Sequence, residues 1–155
     1  MIHVVRHAHA RARARWAADD ACRPLSATGT RQAAALADRL EARGVTALMT
    51  SPALRCRATL EPLAARLGLA LVEADFLAEG SSGRACLDGL LAAAPGTGAL
   101  VACTHGDVIL ALLELLEEDG VPLTGAPAVP KGGTWELTLS AGRVSDARLR
   151  PPPTL

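Results

Sequence analysis

Ile2-His3-Val4-Val5-Arg6-His7 begins as a short, largely apolar run and ends on two residues able to do chemistry. Such a run reads as a buried strand that delivers Arg6 and His7 at its carboxyl end. Ala99 to Thr104 repeats the arrangement as a more apolar strand followed by His105-Gly106. Between the two, Ala27 to Arg43 carries Ala33, Leu36, Ala37 and Leu40 at helical spacing, with Ser26 placed to cap the helix and Gly44 to end it. Val45 to Thr50 reads as a strand stopped by Ser51-Pro52. Ala53 to Leu67 reads as a helix closed by Gly68, and Leu69 to Glu73 as a further strand. After an irregular stretch through Gly83, Arg84 to Ala94 and Val108 to Glu118 are predicted helices. Gly120 to Gly133, with Pro122, Pro127 and Pro130, is predicted to be a loop. Thr134–Leu139 and Arg143–Leu149 form a hairpin about Ser140-Ala141-Gly142, and residues 151–155 form an extended, exposed tail.

Strands alternating with helices predict an α/β fold, a three-layer sandwich with a mainly parallel mixed sheet flanked by helices. Ligands of such sheets bind beyond the carboxyl ends of the strands. Two strands here end in a histidine, at His7 and His105.

The 155 residues fit one domain, spanning 1–155, and a hydrophobic share of 50% supplies a core without disulfides or structural metal. That core must be aliphatic, since Trp16, Phe76 and Trp135 are the only aromatic residues other than histidine. A formal net charge of zero argues against a general nucleic-acid binder. Arginine is nonetheless crowded near the start, at Arg6, Arg11, Arg13, Arg15 and Arg23, opposed there only by Asp19 and Asp20. This permits a local cationic pocket in a neutral protein. Cys22, Cys56, Cys86 and Cys103 form no CxxC pair and read as buried or incidental thiols with no catalytic role. The first residues reach charge too early for a secretory signal, and no apolar run has the length of a membrane span, so a cytoplasmic location is expected.

Three short segments carry the chemistry. A neutral His7 can attack phosphorus and form a covalent phosphohistidine, while the Arg6 guanidinium binds phosphate oxygens bidentately and disfavours the protonated ring. Arg55, within Ser51-Pro52-Ala53-Leu54-Arg55, falls in the first turn of a helix, where free backbone N–H groups also attract phosphate. His105, in Thr104-His105-Gly106-Asp107, is placed to stabilise charge on a transferring phosphoryl group. Each segment alone fits an ordinary strand-end, solvated or capping residue. Their conjunction carries the weight.

Arg6-His7, Ser51-Pro52-x-x-Arg55 and Thr104-His105-Gly106, in that order, together with Arg23-Pro24-Leu25-Ser26-x-x-Gly29-x-x-Gln32-Ala33, resemble the histidine phosphatase superfamily, whose fold is phosphoglycerate-mutase-like. The resemblance implies His7 as nucleophile, a phosphate pocket of Arg6, Arg55 and His105, and catalysis with neither metal nor other cofactor. Leu77-Ala78-Glu79 resembles the segment that carries the family's proton donor, which makes Glu79 the candidate general acid. A substrate with a good leaving group would need little such help. The family's usual Arg-His-Gly is replaced here by Arg6-His7-Ala8-His9. In this the chain is similar to short bacterial phosphohistidine phosphatases and to the phosphatase half of actinobacterial two-domain Nudix proteins. The latter resemblance extends to Arg13-Ala14-Arg15-Trp16, Arg55-Cys56-Arg57-Ala58-Thr59-Leu60 and Lys131-Gly132-Gly133-Thr134-Trp135.

The expected function is thus a metal-independent phosphatase acting through a phosphohistidine on His7. Its partners would be a phosphorylated small molecule, a nucleotide or a phosphoprotein, with no nucleic acid and no membrane. Arg11, Arg13 and Arg15 with His9 form either a cationic rim or a solvated loop, and Trp16 either a stacking platform or a packing anchor. Two rivals stand beside this reading. His7-Ala8-His9 has the H-x-H form of a metal hydrolase, which would need further ligands than His3 and His105 supply. A phosphate-binding module of the same fold without turnover is the other.

Overall fold

The computed structural model describes residues 1–126 and 128–155. Its strands are β1 (Ile2–Arg6), β2 (Val45–Thr50), β3 (Leu71–Glu73), β4 (Ala99–Thr104), β5 (Leu123–Thr124), β6 (Thr134–Ser140) and β7 (Arg143–Arg150). Its α-helices are α1 (Ala27–Leu40), α2 (Leu54–Leu67), α3 (Gly83–Ala93) and α4 (Gly106–Glu118). The strands share one sheet in the order β3-β2-β4-β1-β6-β7-β5. β1 to β4 run parallel, β6 is antiparallel to β1 and β7, and β5 is parallel to β7. This is the predicted mixed, mainly parallel sheet.

The two faces of β1 show why a helix layer lies on each side. Ile2 and Val4 pack with residues of α3 and α4, whereas Val5 packs with residues of α1 and α2. Successive side chains of a strand point to opposite faces, and both faces here are apolar. β4 is buried along its whole length. No helix among the described residues is long and apolar enough to cross a membrane.

The register between β1 and β4 sets up everything that follows. Arg6 lies opposite Thr104, and the His7 N–H donates to the Thr104 carbonyl at 3.0 Å. The next residue of each strand is therefore a histidine at the same edge of the sheet. β1 also lies where the sheet changes from parallel to antiparallel neighbours, a natural place for a crevice.

Several expectations shift at element ends. α1 stops at Leu40, short of Arg43, where the last turn tightens through an Arg43 N–H to Leu40 carbonyl bond at 3.0 Å. The Arg43 guanidinium then turns to Glu136. β3 begins at Leu71 because the Leu69 N–H is still satisfied by the end of α2, at the Ala64 carbonyl. The 120–133 stretch is not all loop, since Leu123 and Thr124 pair with Ala147 and Arg148 of β7; Pro127, which contributed to the loop reading, lies outside the described residues. The tail is tied down, with Arg39 donating to the Pro151 carbonyl at 2.6 Å and Pro152 and Pro153 half-buried. Residues 8–23 hold two short 3-10 turns, Arg13–Arg15 and Asp20–Cys22, anchored by a bridge between Ala10 and Leu25.

Candidate functional site

His7 is buried at the floor of a cavity of about 810 Å³ that opens beyond the carboxyl ends of β1 and β4. Its Nδ1 lies 2.8 Å from the Ala8 carbonyl oxygen. A carbonyl only accepts, so Nδ1 carries the proton and Nε2 keeps its lone pair. Burial holds the imidazolium form down, and the neighbouring His105, Arg55 and Arg6 add to the effect, outweighing the bond to Ala8; the pKa falls to about 3. A neutral ring with a free Nε2 is the nucleophilic form.

His105 stands beside it, the ring centroids 5.5 Å apart and the planes at 65°. Its Nδ1 receives Arg55 Nη2 at 3.4 Å. A guanidinium can only donate, so the Nε2 proton of His105 goes to Ser51 Oγ at 2.8 Å. Ser51 is thereby given a purpose, fixing the second histidine from the turn between β2 and α2. The Cys56 sulfur also lies 3.6 Å from His105 Nε2. That thiol, which the sequence leaves without a neighbouring base, is buried and does not line the cavity.

Arg55 is 1% exposed yet pairs with Asp20 and with Glu79, each at 3.1 Å, and donates to the Asp20 backbone carbonyl at 2.9 Å. Among the described residues its Nε has no hydrogen-bond partner, and neither does the Nε of Arg6. Arg6 is held by the Val129 carbonyl. A Cβ on Gly106 would come within 2.9 Å of the Arg6 guanidinium carbon, which is why glycine follows His105. Two buried guanidinium N–H groups that lack acceptors among the described residues, beside a neutral histidine, are chemically able to hold an oxyanion.

The Pro24-Leu25-Ser26 segment sets the wall next to His9. Ser26 Oγ caps α1 at the Gly29 N–H and lies 2.7 Å from His9 Nδ1. Gln32 accepts the His9 N–H at 2.8 Å, and a Cβ at Gly29 would sit 1.9 Å from the His9 carbonyl oxygen. Serine, glycine and glutamine at this spacing thus clamp one backbone segment against one helix turn. His9 is directed to Ser26 and His7 to Ala8, so the H-x-H pair does not converge. Among the described residues no three His, Cys, Asp or Glu side chains come together as a metal site.

Glu79 reaches the cavity, but both its oxygens are engaged, one by Arg55 at 3.1 Å and one by Arg13 at 2.9 Å. Arg11 and Arg13 line the cavity and Arg15 does not. Trp16 is half-buried and donates to the Asp19 carbonyl at 2.9 Å, tying down its own loop. Arg23, Asp107 and Lys131, which the sequence offers within its motifs and arginine cluster without an individual role, line the cavity, and Asp20 does not. Asp20 braces Arg55 and Arg23. Arg23 and Lys131 line the wall. Asp107 accepts the Gly80 N–H at 2.8 Å. Asp19-Asp20 was visible as the sole acidic pair among the early arginines, and Lys131 as the only lysine of the chain. Neither signal says which cavity the residue lines.

The family model for the histidine phosphatase superfamily, branch 1, matches residues 2–85. The chain belongs to the histidine phosphatase superfamily. An 8-oxo-(d)GTP phosphatase of Mycolicibacterium smegmatis is 37% identical over 153 residues, covering 97% of this chain and 48% of that protein. The chain thus spans about half the length of this curated relative. A protein histidine phosphatase SixA complexed with tungstate has a TM-score of 0.77 at 20% identity, covering 99% of this chain and 96% of that one. A mycobacterial glucosyl-3-phosphoglycerate phosphatase, in its complex with VO3, gives 0.71 at 16% identity, covering 99% of both chains. At such identities these structures establish the fold, and the phosphoglycerate-mutase-like architecture expected from the motifs is the one present.

Proposed function

We propose that this member of the superfamily is a metal-independent phosphatase whose nucleophile is His7 Nε2 and whose substrate is a nucleotide phosphate. We read residues 1–155 as one catalytic domain. The observation that carries the reading is the free Nε2 of a neutral, buried His7 beside two guanidinium groups whose Nε–H is uncommitted among the described residues. The lone pair of Nε2 forms the N–P bond as the bond to the leaving oxygen breaks. Arg6, Arg55 and His105 hold the equatorial oxygens, and water then attacks the phosphohistidine to release phosphate. A bound phosphate competes with His105 Nδ1 for the Arg55 Nη2 donor. Glu79 serves as general acid where the leaving group needs one, once Arg13 releases its oxygen.

The 37% identity to an 8-oxo-(d)GTP phosphatase over nearly all of this chain favours a nucleotide over a protein phosphohistidine. Cationic side chains here perform the phosphate binding that a metal performs elsewhere. Hydrolysis of an aryl phosphate by the purified protein should therefore persist in excess chelator, and vanadate should inhibit it as a five-coordinate phosphoryl mimic. Complete loss of turnover with EDTA, restored by zinc or magnesium, would overturn the metal-independent mechanism.

A further inference from the structure

The phosphoryl site occupies only the floor of the cavity, and its walls carry a surplus of positive charge. Five basic side chains, Arg6, Arg11, Arg13, Arg23 and Lys131, line it against two carboxylates, Glu79 and Asp107. Two of the five are already committed. Arg13 pairs with Glu79 and Asp20, and Arg23 pairs with Asp20 at 2.8 Å while donating to the Arg11 carbonyl. Arg6, Arg11 and Lys131 form no ion pair among the described residues, but Arg6 is held by the Val129 carbonyl beside His7 and Arg11 is exposed, whereas Lys131 is half-buried at the turn preceding β6.

The backbone holds Lys131 at this place from both sides. The Gly132 N–H donates to the Arg6 carbonyl at 3.1 Å, so the turn is fastened to the end of β1. Gln32 donates to the Lys131 carbonyl at 3.4 Å, fastening the same turn to α1. Burial and the nearby Arg6, Arg23 and Arg55 charges lower the ammonium's pKa. An ammonium kept among like charges without a carboxylate is unfavourable unless an anion joins it. The only acid near the reacting centre that the sequence motifs suggest, Glu79, has both oxygens in ion pairs. The cavity therefore offers a leaving group an unpaired cation in place of a free proton donor.

Building on the phosphatase reading above, we infer that Lys131, flanked by Arg23, forms a second anion subsite that holds the departing phosphate of a phosphoanhydride substrate. His7 Nε2 forms the N–P bond to the terminal phosphorus, and the P–O bond to the bridging oxygen breaks. The electron pair stays on that oxygen, now part of the leaving phosphate, where the ammonium neutralises it. No proton need be supplied in this step, because a phosphate departs as a stable anion. Water then cleaves the N–P bond, giving inorganic phosphate and returning His7 to its neutral state.

Binding of non-hydrolysable ligands tests the subsite apart from catalysis. Calorimetric titration of the purified protein should show methylenediphosphonate binding about 10- to 100-fold more tightly than methylphosphonate, the range expected for one charge-assisted contact. In Lys131→Met that gap should shrink to within about threefold, and in Lys131→Arg most of it should survive. Correspondingly, Lys131→Met should lose at least tenfold more kcat/KM on a nucleoside diphosphate than on p-nitrophenyl phosphate. Equal affinity of wild type for the two phosphonates, an undiminished gap in Lys131→Met, or equal losses on the two substrates would overturn the subsite. A wild-type protein that binds both phosphonates but turns over no phosphate compound would instead overturn the phosphatase reading and leave the subsite standing.

Discussion

At the scale of single residues, the site depends on which hydrogen-bonding capacities are spent and which are left open. His7 spends Nδ1 on Ala8 and keeps Nε2, whereas His105 spends both nitrogens in the free site, on Ser51 and Arg55. Two chemically identical rings thus acquire different roles from their neighbours alone. Glu79 has spent both oxygens on Arg13 and Arg55. Its value as an acid therefore depends on how much the leaving group needs a proton. Glu79→Gln should slow alkyl phosphates by about 10²–10⁴-fold, the usual contribution of a general acid, and p-nitrophenyl phosphate far less. Steady-state rates on the two substrates check this, and equal slowing would remove Glu79 from the donor role.

At the scale of elements, much of the fold was legible because strand and helix periods are local properties. β2 and β4 run over the residues that their apolar runs mark, and Ser26 caps the helix it precedes. What could not be read locally was pairing. Leu123 and Thr124 become a strand only because β7 offers an edge to them. Likewise Asp20, in an arginine-rich loop, becomes the brace of Arg55 only after residues 8–23 fold over the start of α2.

The far end of β1 holds a second buried histidine with a different consequence. His3 is 1% exposed and lies 3.7 Å from Glu136, which Arg43 and Arg150 also engage. Burial lowers the His3 pKa to about 4, with Arg43, the N-terminal amine and Arg39 adding to the effect against the attraction of Glu136. Its folded pKa lies below the ordinary value of 6.5, so the unfolded chain binds the extra proton first. The stability that comes from keeping His3 neutral is complete above pH 6.5 and drains away as pH falls toward 4. One such group contributes a slope of at most about 1.4 kcal/mol per pH unit. Denaturant melts across that window should show a shallower pH dependence for His3→Gln than for wild type. An identical slope in the two proteins would show that His3 titrates alike in the folded and unfolded chain.

At the scale of the whole molecule, the parallel pairing of β1 with β4 brings two distant sequence segments together at the floor of one cavity. Arg6-His7 and Thr104-His105 were recognisable as strand ends, and their adjacency follows from the register Arg6 to Thr104. That Arg6, Arg55 and His105 gather at one edge of the sheet was therefore foreseeable, because strand ends and helix starts of an α/β sheet meet there. The wall residues were not, since Arg23 and Lys131 reach the cavity from loops whose paths depend on packing. Burial at the sheet edge, beside His105, Arg55 and Arg6, keeps the His7 imidazole neutral.

The most direct test of this account is to trap the covalent intermediate. Brief reaction with ³²P-labelled substrate, followed by alkaline quenching and peptide fragmentation, should place an acid-labile, base-stable phosphoryl group on His7. His7→Ala should abolish both label and turnover while its circular dichroism remains that of the folded protein. His105→Ala should still form label but turn over about 10²–10³-fold more slowly, the cost of one group that stabilises transition-state charge. Substantial turnover by a folded His7→Ala protein, or label confined to His3 or His9 of the same peptide, would contradict the assignment of His7 as nucleophile.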